Sequence, residues 1–535
     1  MNSGGHAVVR ALVDNGVDLV FGIPGTHNLE IYRYLADSGI RHVTPRHEQG
    51  GGYAADAYAR VSGRPGVLIT TTGPGLTNAT TAAATAYADS IPMLLISPGM
   101  PRGMERKDIG WLHEVKDQHA HLEAIVDTSI RVDSAAEAYA AITATFRRWR
   151  ISRPRPVHIE VPVDVLDEAY DPGSLAATTP APGAPAAMAA GPDAPVPDAS
   201  AIAAAAGTLA RAESVLMIVG GGARRATHEV REVAERLDAP VITTVNGKGV
   251  LPETHPLSLG AAIRLAEAHR IISGAQALLV VGSVLGDDEL WGHTVQASGA
   301  VVRIDIDERQ LDKNLTATYG LHGDAAATLR LLLDALPAEV RNTLGRRATQ
   351  LRAACDADAM REGRAFADYH AALREVLPPE TIFAGDSAQV SYFGTAHQWP
   401  SLRPGQFVYP AGYATLGYGI PGGIGAALAA PGTPVVVLAG DGGTMFTIQE
   451  FATAVDLGLG LPVVVMNNGG FQEIREGMAD RDIQPLAVDV RSPDFPLLGR
   501  ALGGEGRRAD GPAELAAAVT EALGRTVPTL IEVRL

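Results

Sequence analysis

Two short glycine runs carry the clearest chemistry in the 535-residue sequence: GDGG at 440–443, after the apolar stretch PVVVLA, and NNGG at 467–470, after LPVVVM. Both follow stretches that read as buried strands, and the carboxyl ends of parallel strands form the ligand crevice of open α/β sheets. Asp441 offers a carboxylate and Asn468, 27 positions on, an amide oxygen. With a backbone carbonyl from the glycine turn they make an all-oxygen set suited to a hard divalent cation that also keeps phosphate oxygens in its shell. A helix expected to begin near Thr447 would add N-terminal N–H groups for an anion. Taken singly, the motifs also read as ordinary Asp-Gly and Asn-Gly turns; their pairing at two strand ends points to a metal–diphosphate site.

Such a site needs a parallel sheet beneath it, and the hydrophobic periodicity supplies one three times. Residues 1–168 alternate helices (HAVVRALVDNG, NLEIYRYLADS, GGYAADAYARVSG, TNATTAAATAYADS) with strands (DLVFGI, RHVTPR, GVLITTTGPG, PMLLIS, PVHIEVP). Near-continuous apolar strands between helices imply a parallel sheet covered on both faces. Residues 169–200 form a Pro/Ala linker, in which positions 171–200 hold seven Pro, ten Ala and three Gly. Residues 201–335 make a second α/β unit from SVLMIVGGGA, APVITTV, ALLVVGSVLG and AVVRIDID, with helices such as HEVREVAERLD between them. A polar helical segment, 336–370, connects to a third unit, 371–535, with strands ETIFAGD, PVVVLAGDGG, LPVVVMNN and TLIEVRL. The expected fold class is α/β, in three parallel-sheet domains.

Composition narrows the function classes. Hydrophobic residues make up 46% and charged residues 19% of the chain, with 59 Gly and 35 Pro, as in a packed, turn-rich enzyme. The net charge of −16 and the absence of any Lys/Arg block argue against a nucleic acid or an anionic membrane as partner. Cys355 is the single cysteine, which excludes internal disulfides and cysteine-based zinc sites and fits a reducing, cytoplasmic setting. The N-terminus lacks a basic start, Arg10, Asp14 and Asp18 interrupt it, and no window reaches the ~18 apolar residues of a membrane span.

The pair GDGG and NNGG resembles the metal and diphosphate motif of thiamin-diphosphate-dependent enzymes. Three other stretches resemble the acetolactate synthase, pyruvate decarboxylase and benzoylformate decarboxylase group of that family. HEQGGGYAADAYARVSGRPGV (47–67) and TTGPGLTNA (71–79) are similar to its pyrimidine-binding domain, FGIPGTHNLEIY (21–32) to its first strand–turn–helix, and VNGKGVLPETHPLSLG (245–260) to its central domain. The resemblance implies three Rossmann-like parallel-sheet domains, the thiamin-diphosphate-binding fold twice with a central domain between. It implies thiamin diphosphate and Mg2+ as cofactors, with Asp441, Asn468 and the Gly470 carbonyl on the metal and Gly440, Gly442 and Gly443 close to the diphosphate. Glu48 matches the glutamate that hydrogen-bonds N1′ of the aminopyrimidine, where a shared proton favours the imino tautomer that deprotonates the thiazolium carbon. In GYATLGYGIP (412–421), Leu416 matches the apolar residue wedged between the cofactor's rings, and the Ala414 carbonyl the acceptor for its 4′-amino group. Read alone, Glu48 is also a helix-start carboxylate and Leu416 a core leucine.

Departures from the family pattern bear on the reaction. Thr26 stands where pyruvate decarboxylases carry an acid, and its neighbour His27 can shuttle protons near neutral pH. In GWLHEVKDQH (110–119), His113 and Glu114 fill the place of the decarboxylases' paired histidines; the stretch also reads as a solvated charged loop. Acetolactate synthases bind FAD through an arginine in the central domain, but the comparable GSVLGDDELWG (282–292) lacks it, leaving FAD doubtful. Gly220 to Gly222 do not complete a dinucleotide fingerprint, which argues against a nicotinamide enzyme. Glu473 lies in the first turn of a helix after NNGG, one position before the decarboxylases' glutamate, which would fall at Ile474. GIPGTHNLEIYR, TPRHEQG and LHEVKDQ resemble 5-guanidino-2-oxopentanoate decarboxylases, a branch in which Glu473 or Glu114 could pair with a cationic substrate tail. The expected function is decarboxylation of a small-molecule 2-oxo acid to an aldehyde by a homodimer or homotetramer whose site is completed across subunits. The alternatives are acetolactate-type carboligation and a non-catalytic cofactor-binding subunit, the latter opposed by the presence of Glu48, Leu416, Asp441 and Asn468.

Overall fold

A computed structural model of the protein describes residues 2–175 and 191–535, so residues 176–190 of the expected linker lie outside the described residues. The first sheet holds β1 (Leu19–Gly22), β2 (Arg41–Val43), β3 (Gly66–Ile69), β4 (Met93–Gly99), β5 (Thr128–Arg131) and β6 (Val157–Pro162). The central sheet holds β7 (Val215–Val219), β8 (Val241–Thr243), β9 (Ala277–Val281), β10 (Ala300–Asp305) and β11 (Tyr319–His322). The third holds β12 (Ile382–Gly385), β13 (Phe407–Val408), β14 (Val435–Gly440), β15 (Pro462–Asn467), β16 (Glu505–Ala509) and β17 (Thr529–Arg534). Every pairing of these strands is parallel, the α/β class expected from the apolar strands. The first sheet runs β2-β1-β3-β4-β6-β5 and the third β13-β12-β14-β15-β17-β16. These are one and the same order, so the chain contains one sheet topology twice, separated by a central sheet ordered β11-β10-β9-β7-β8.

The order reverses between β1 and β3 in the first sheet and between β12 and β14 in the third, and at such switch points the strand ends leave a crevice for ligands. The central strands are buried along their length, as in β4, whose seven residues are all buried. Four strands escaped the sequence reading: β5, β11, β13 and β16. All four are edge strands; β16 exposes Arg507 and Arg508, so an uninterrupted apolar run is missing there.

The first and third domains share one hydrophobic core. Tyr53, Ala54 and Leu68 of the first pack in the same cluster as Tyr418, Ile424 and Val437 of the third. Buried polar contacts cross the same boundary, with Tyr418 Oη donating to Asp56 Oδ1 at 2.7 Å and Tyr53 Oη 2.6 Å from Thr415 Oγ1. The helix Ala348–Gly363 within the connecting segment seats Leu351, Cys355 and Ala359 against central-domain residues such as Leu216 and Ile272. Burial pushes the Cys355 thiol up to about 12, which keeps it protonated and unreactive. No helix among the described residues is long and apolar enough to cross a membrane.

Candidate functional site

The end of β14 delivers Asp441 and the end of β15 delivers Asn468, as the two apolar runs predict. Asp441 is 3% exposed, and Ser492 Oγ donates to its Oδ2 at 2.8 Å. In the amide orientation that satisfies its neighbours, the Asn468 nitrogen would donate to Asp441 Oδ1 at 3.2 Å and to the Gly470 carbonyl at 3.0 Å. Turned by 180°, the same amide brings its oxygen to that point. Three oxygens then converge at about the ~3.0 Å spacing of adjacent ligands around a six-coordinate ion with ~2.1 Å bonds. The donor set of one carboxylate, one amide and one backbone carbonyl therefore fits a hard divalent cation. Gly470 bends the chain there with a φ of 147°, and a Cβ would lie 2.0 Å from the Val488 carbonyl oxygen.

The helix expected near Thr447 begins elsewhere. A single turn, Asp441–Thr444, starts directly at the strand end, and the next helix is Glu450–Asp456. Thr447 lies between them because its hydroxyl is drawn off to the Gly417 carbonyl, at 2.6 Å. Gly442 and Gly443 are tightly enclosed by the protein itself: a Cβ would sit 2.7 Å from the Phe471 ring and 3.1 Å from the Asp386 carboxyl group respectively, whereas Gly440 has only ordinary contact with Ala388.

Thr447 thereby ties this turn to the loop carrying Leu416. Asp386, at the end of β12, accepts from the N–H of Gly417 (3.0 Å), Gly419 (3.3 Å) and Ser387 (2.7 Å). Burial pushes its carboxyl up to about 6, against those N–H groups, which favour the ionised form. Leu416 is half-buried at this loop and belongs to no hydrophobic core cluster, while Ala414 is exposed with a φ of 49°. The ordinary-core-leucine reading of Leu416 is thus not what the fold displays.

On the first domain, Glu48 opens the helix Glu48–Ser62, is 8% exposed, and accepts from Asn78 Nδ2 at 3.0 Å. The backbone just before it is held from the third domain: Glu450 accepts from Arg46 N at 3.1 Å and from His47 N at 2.9 Å. His27, beyond β1, has Nδ1 2.8 Å from Thr72 Oγ1, beyond β3. It stacks on Trp111 at 4.4 Å and meets His113 edge-on at 5.1 Å. Burial, then the charge of His113, lowers its pKa from 6.5, so His27 is neutral at pH 7. Thr26 is exposed and its hydroxyl has no hydrogen bond among the described residues.

Two acidic candidates are already engaged. Glu114 Oε2 accepts from Ile109 N at 3.2 Å and from Trp111 N at 3.0 Å, so its carboxylate closes its own loop rather than facing a substrate tail. Glu473, in the first turn of the helix Gln472–Ala479, accepts from Tyr392 Oη at 2.8 Å and Gln389 Nε2 at 3.0 Å. Contacts join His27, Thr72, Trp111 and His113 in the first domain, where Glu48 is bonded to Asn78, and bring Asp441, Asn468 and Gly470 together in the third; no hydrogen bond or ion pair joins the two groups among the described residues. The sequence reading passed over Asp386, Ser492, Asn78, Thr72, Trp111 and Glu450. Only Asp386, directly after the apolar strand ETIFAG, stood at a position that strand-end reasoning could have flagged.

Comparison with known proteins agrees with the fold. Residues 2–121 match the thiamine pyrophosphate enzyme N-terminal TPP binding domain, residues 202–332 its central domain and residues 387–533 its C-terminal TPP binding domain. The chain belongs to the thiamine pyrophosphate enzymes. Over 99% of its length and 93% of the relative's, it is 42% identical to "Probable 2-ketoarginine decarboxylase AruI" of Pseudomonas aeruginosa. It is 30% identical to "Acetolactate synthase isozyme 1 large subunit" of Escherichia coli, covering 100% of this chain and 94% of that one. With "Acetolactate synthase large subunit" of Parasynechococcus marenigrum it shares 32% identity over 99% of this chain and 87% of that one.

Proposed function

We propose that the chain is a thiamin-diphosphate- and Mg2+-dependent decarboxylase that converts 5-guanidino-2-oxopentanoate and a proton into CO2 and the corresponding aldehyde. The observation that carries this reading is the 42% identity, along nearly the whole of both chains, to a protein named for 2-ketoarginine, which is this 2-oxo acid. When bound, thiamin diphosphate supplies a nucleophilic ring carbon that also accepts the electrons left by departing CO2. Asp441, the Asn468 amide oxygen and the Gly470 carbonyl would hold Mg2+, with Gly440, Gly442 and Gly443 beside the diphosphate. Glu48, held by Asn78 at 3.0 Å, holds a proton at N1′ of the pyrimidine. Leu416, clear of the hydrophobic core, would pack against the cofactor, and the Ala414 carbonyl would accept from its amino group. Neutral His27, fixed by Thr72 and Trp111, serves proton transfer together with His113.

Glu48 and Asp441 lie in different domains, and the apolar side chains of Met445, Phe446, Ile474 and Leu486 are exposed on the third domain. Both features support a homodimer or homotetramer in which a second copy completes each site. The single, buried Cys355 is compatible with a cytoplasmic setting. Similarity to acetolactate synthases supports a second reading, carboligation to a hydroxyketone. One assay decides: purified protein with thiamin diphosphate and Mg2+ is given a panel of 2-oxo acids, and CO2, aldehyde and hydroxyketone are followed. Aldehyde from 5-guanidino-2-oxopentanoate is expected. Efficient formation of acetolactate from pyruvate, without aldehyde, would replace the decarboxylase with the ligase.

A further inference from the structure

Ala414, the proposed acceptor for the cofactor's amino group, holds a left-handed backbone with a φ of 49°. A residue with a side chain rarely adopts that conformation unless its surroundings impose it. Its carbonyl accepts no hydrogen bond among the described residues, so the loop must be set by anchors on either side. After Ala414 the anchors are Asp386, on the Gly417 N–H, and Thr447, on the Gly417 carbonyl. Before it they come from the first domain. Gly412 N donates to Asp89 Oδ1 at 2.9 Å, and the Tyr409 carbonyl accepts from Arg60 Nη1 at 3.2 Å. Asp89 follows the helix Pro74–Ala88, and its side chain has no exposed surface. Its Oδ2 accepts from Arg60 Nη2 at 2.8 Å, and its Oδ1 also accepts from Asn246 Nδ2 of the central domain at 2.8 Å. Arg60, 4% exposed, engages all five of its guanidinium N–H groups. Those not already named go to Asp56, at 2.5 and 3.3 Å, and to Asn246 Oδ1, at 3.1 Å. Arg224 donates to the Arg60 carbonyl, so two cations face the two carboxylates of this buried group.

We propose that Asp89, oriented by Arg60, is a positioning residue for the cofactor's amino group: by taking the Gly412 N–H it fixes the loop two residues before Ala414 and sets where the Ala414 carbonyl points. The chemistry calls for a carboxylate. One oxygen serves two donors, Gly412 N and Asn246 Nδ2, and the other serves Arg60. An amide at this position turns its own N–H groups on one side or the other, stranding either the Arg60 donor or the two donors opposite. Gly412 is confined by the same contact, since a Cβ there would lie 2.9 Å from Asp89 Oδ1 and 2.9 Å from the Ala88 Cβ. The proposal rests on the cofactor role given to Ala414; it is independent of which 2-oxo acid is the substrate and of the product formed.

The test compares thiamin diphosphate with its analogue lacking the 4′-amino group, each titrated calorimetrically into the full-length protein with Mg2+. The parent should bind thiamin diphosphate ~5-fold more tightly, about 1 kcal/mol, the net contribution of one hydrogen bond. In Asp89→Asn the ratio of the two affinities should fall toward one. A merely structural role for Asp89 would weaken both compounds alike and leave the ratio at the parent's value, and that result overturns the proposal. Equal binding of the two compounds by the parent is a different failure, that of the acceptor role given to Ala414. Gly412→Ala serves as the second variant should Asp89→Asn not fold. Its Cβ pushes the loop away from Asp89 while the Arg60–Asp89 pair stays, so the ratio should fall there too, and an unchanged ratio counts against the tether. Amide hydrogen exchange of the cofactor-free protein reads the loop without any ligand: exchange across residues 411–416 should rise at least ~10-fold in Asp89→Asn, and equal exchange in parent and variant refutes the anchoring itself.

Discussion

Removing Glu450 should both destabilise the protein and displace Glu48. Its carboxylate, 1% exposed, accepts from Arg46 N at 3.1 Å, His47 N at 2.9 Å and Thr453 Oγ1 at 2.8 Å. Glu450→Ala strands the N–H groups of Arg46, an exposed residue, and His47, a half-buried one, so the cost falls at the low end of roughly 1–3 kcal/mol each, about 2 kcal/mol in all. For domains of this size that lowers the melting temperature by roughly 5 °C. Because Arg46 and His47 lead directly into the helix that begins at Glu48, kcat/KM should fall with stability. Glu450→Gln keeps an acceptor for His47 N and should cost much less. Burial raises the Glu450 carboxyl above its ordinary value of 4.5, outweighing the N–H of Arg46 that favours ionisation. The folded chain thus holds this proton more tightly than the unfolded chain. Stability from this group is complete below pH 4.5 and declines as pH rises through the folded value. The deficit of Glu450→Gln, which does not titrate, should therefore be larger at pH 4 than at pH 7. Thermal melts and initial rates across pH 4–8 read both effects. A Glu450→Ala variant that melts with the parent, or a Gln deficit that grows with pH, would refute the reasoning.

The remaining expectations concern the two clusters. Glu48→Gln keeps size and the Asn78 contact but removes the acidic proton, so deuterium exchange at C2 of bound cofactor should fall ~10²–10⁴-fold; unchanged exchange would sink the role given to Glu48. Asp441→Ala should leave the melting of the cofactor-free protein close to the parent's while abolishing the upward shift produced by Mg2+ and thiamin diphosphate. Equal shifts in parent and variant would make Asp441 a turn residue only. Since burial and His113 lower His27 below 6.5, its protonation should appear as an acid limb of kcat/KM centred under pH 6.5 and be absent in His27→Gln. A limb centred above 6.5 is the contrary result.

What was legible in the sequence follows from how many demands a residue meets. The central strands are apolar on both faces because helices cover both, so they stand out as unbroken runs. Edge strands such as β16 carry Arg507 and Arg508 toward solvent and look like loops. Asp441, Asn468 and Glu48 occupy the first positions after a strand or at a helix start, where pattern and chemistry coincide. Glu114 and Glu473 were equally visible as acids, yet their partners could not be read from spacing. Glu114 turns back on Ile109 and Trp111, and Glu473 meets Tyr392, 81 positions away. Glu450 shows the limit most clearly. Its contact with Arg46 spans 404 positions, and nothing in FTIQEFATAV distinguishes it from a solvated helix-start carboxylate.

The glycines explain why the site motifs were conspicuous at all. Gly442 lies against Phe471 and Gly443 against Asp386 so closely that a side chain at either would be crowded before any ligand entered. Asp386 in turn gathers the N–H groups of the loop carrying Leu416, and Thr447 binds that loop to the turn after Asp441. The crevice between β12 and β14 is therefore shaped by the chain's own packing, with the small residues required by the fold and the oxygen donors left facing the gap. The first sheet repeats the strand order but fills its corresponding crevice, between β1 and β3, with His27, Thr72 and Trp111. One topology used twice thus presents the oxygens of Asp441, Asn468 and Gly470 in one sheet and His27, Thr72 and Trp111 in the other, and the difference lies in side chains at the strand ends rather than in the framework that presents them.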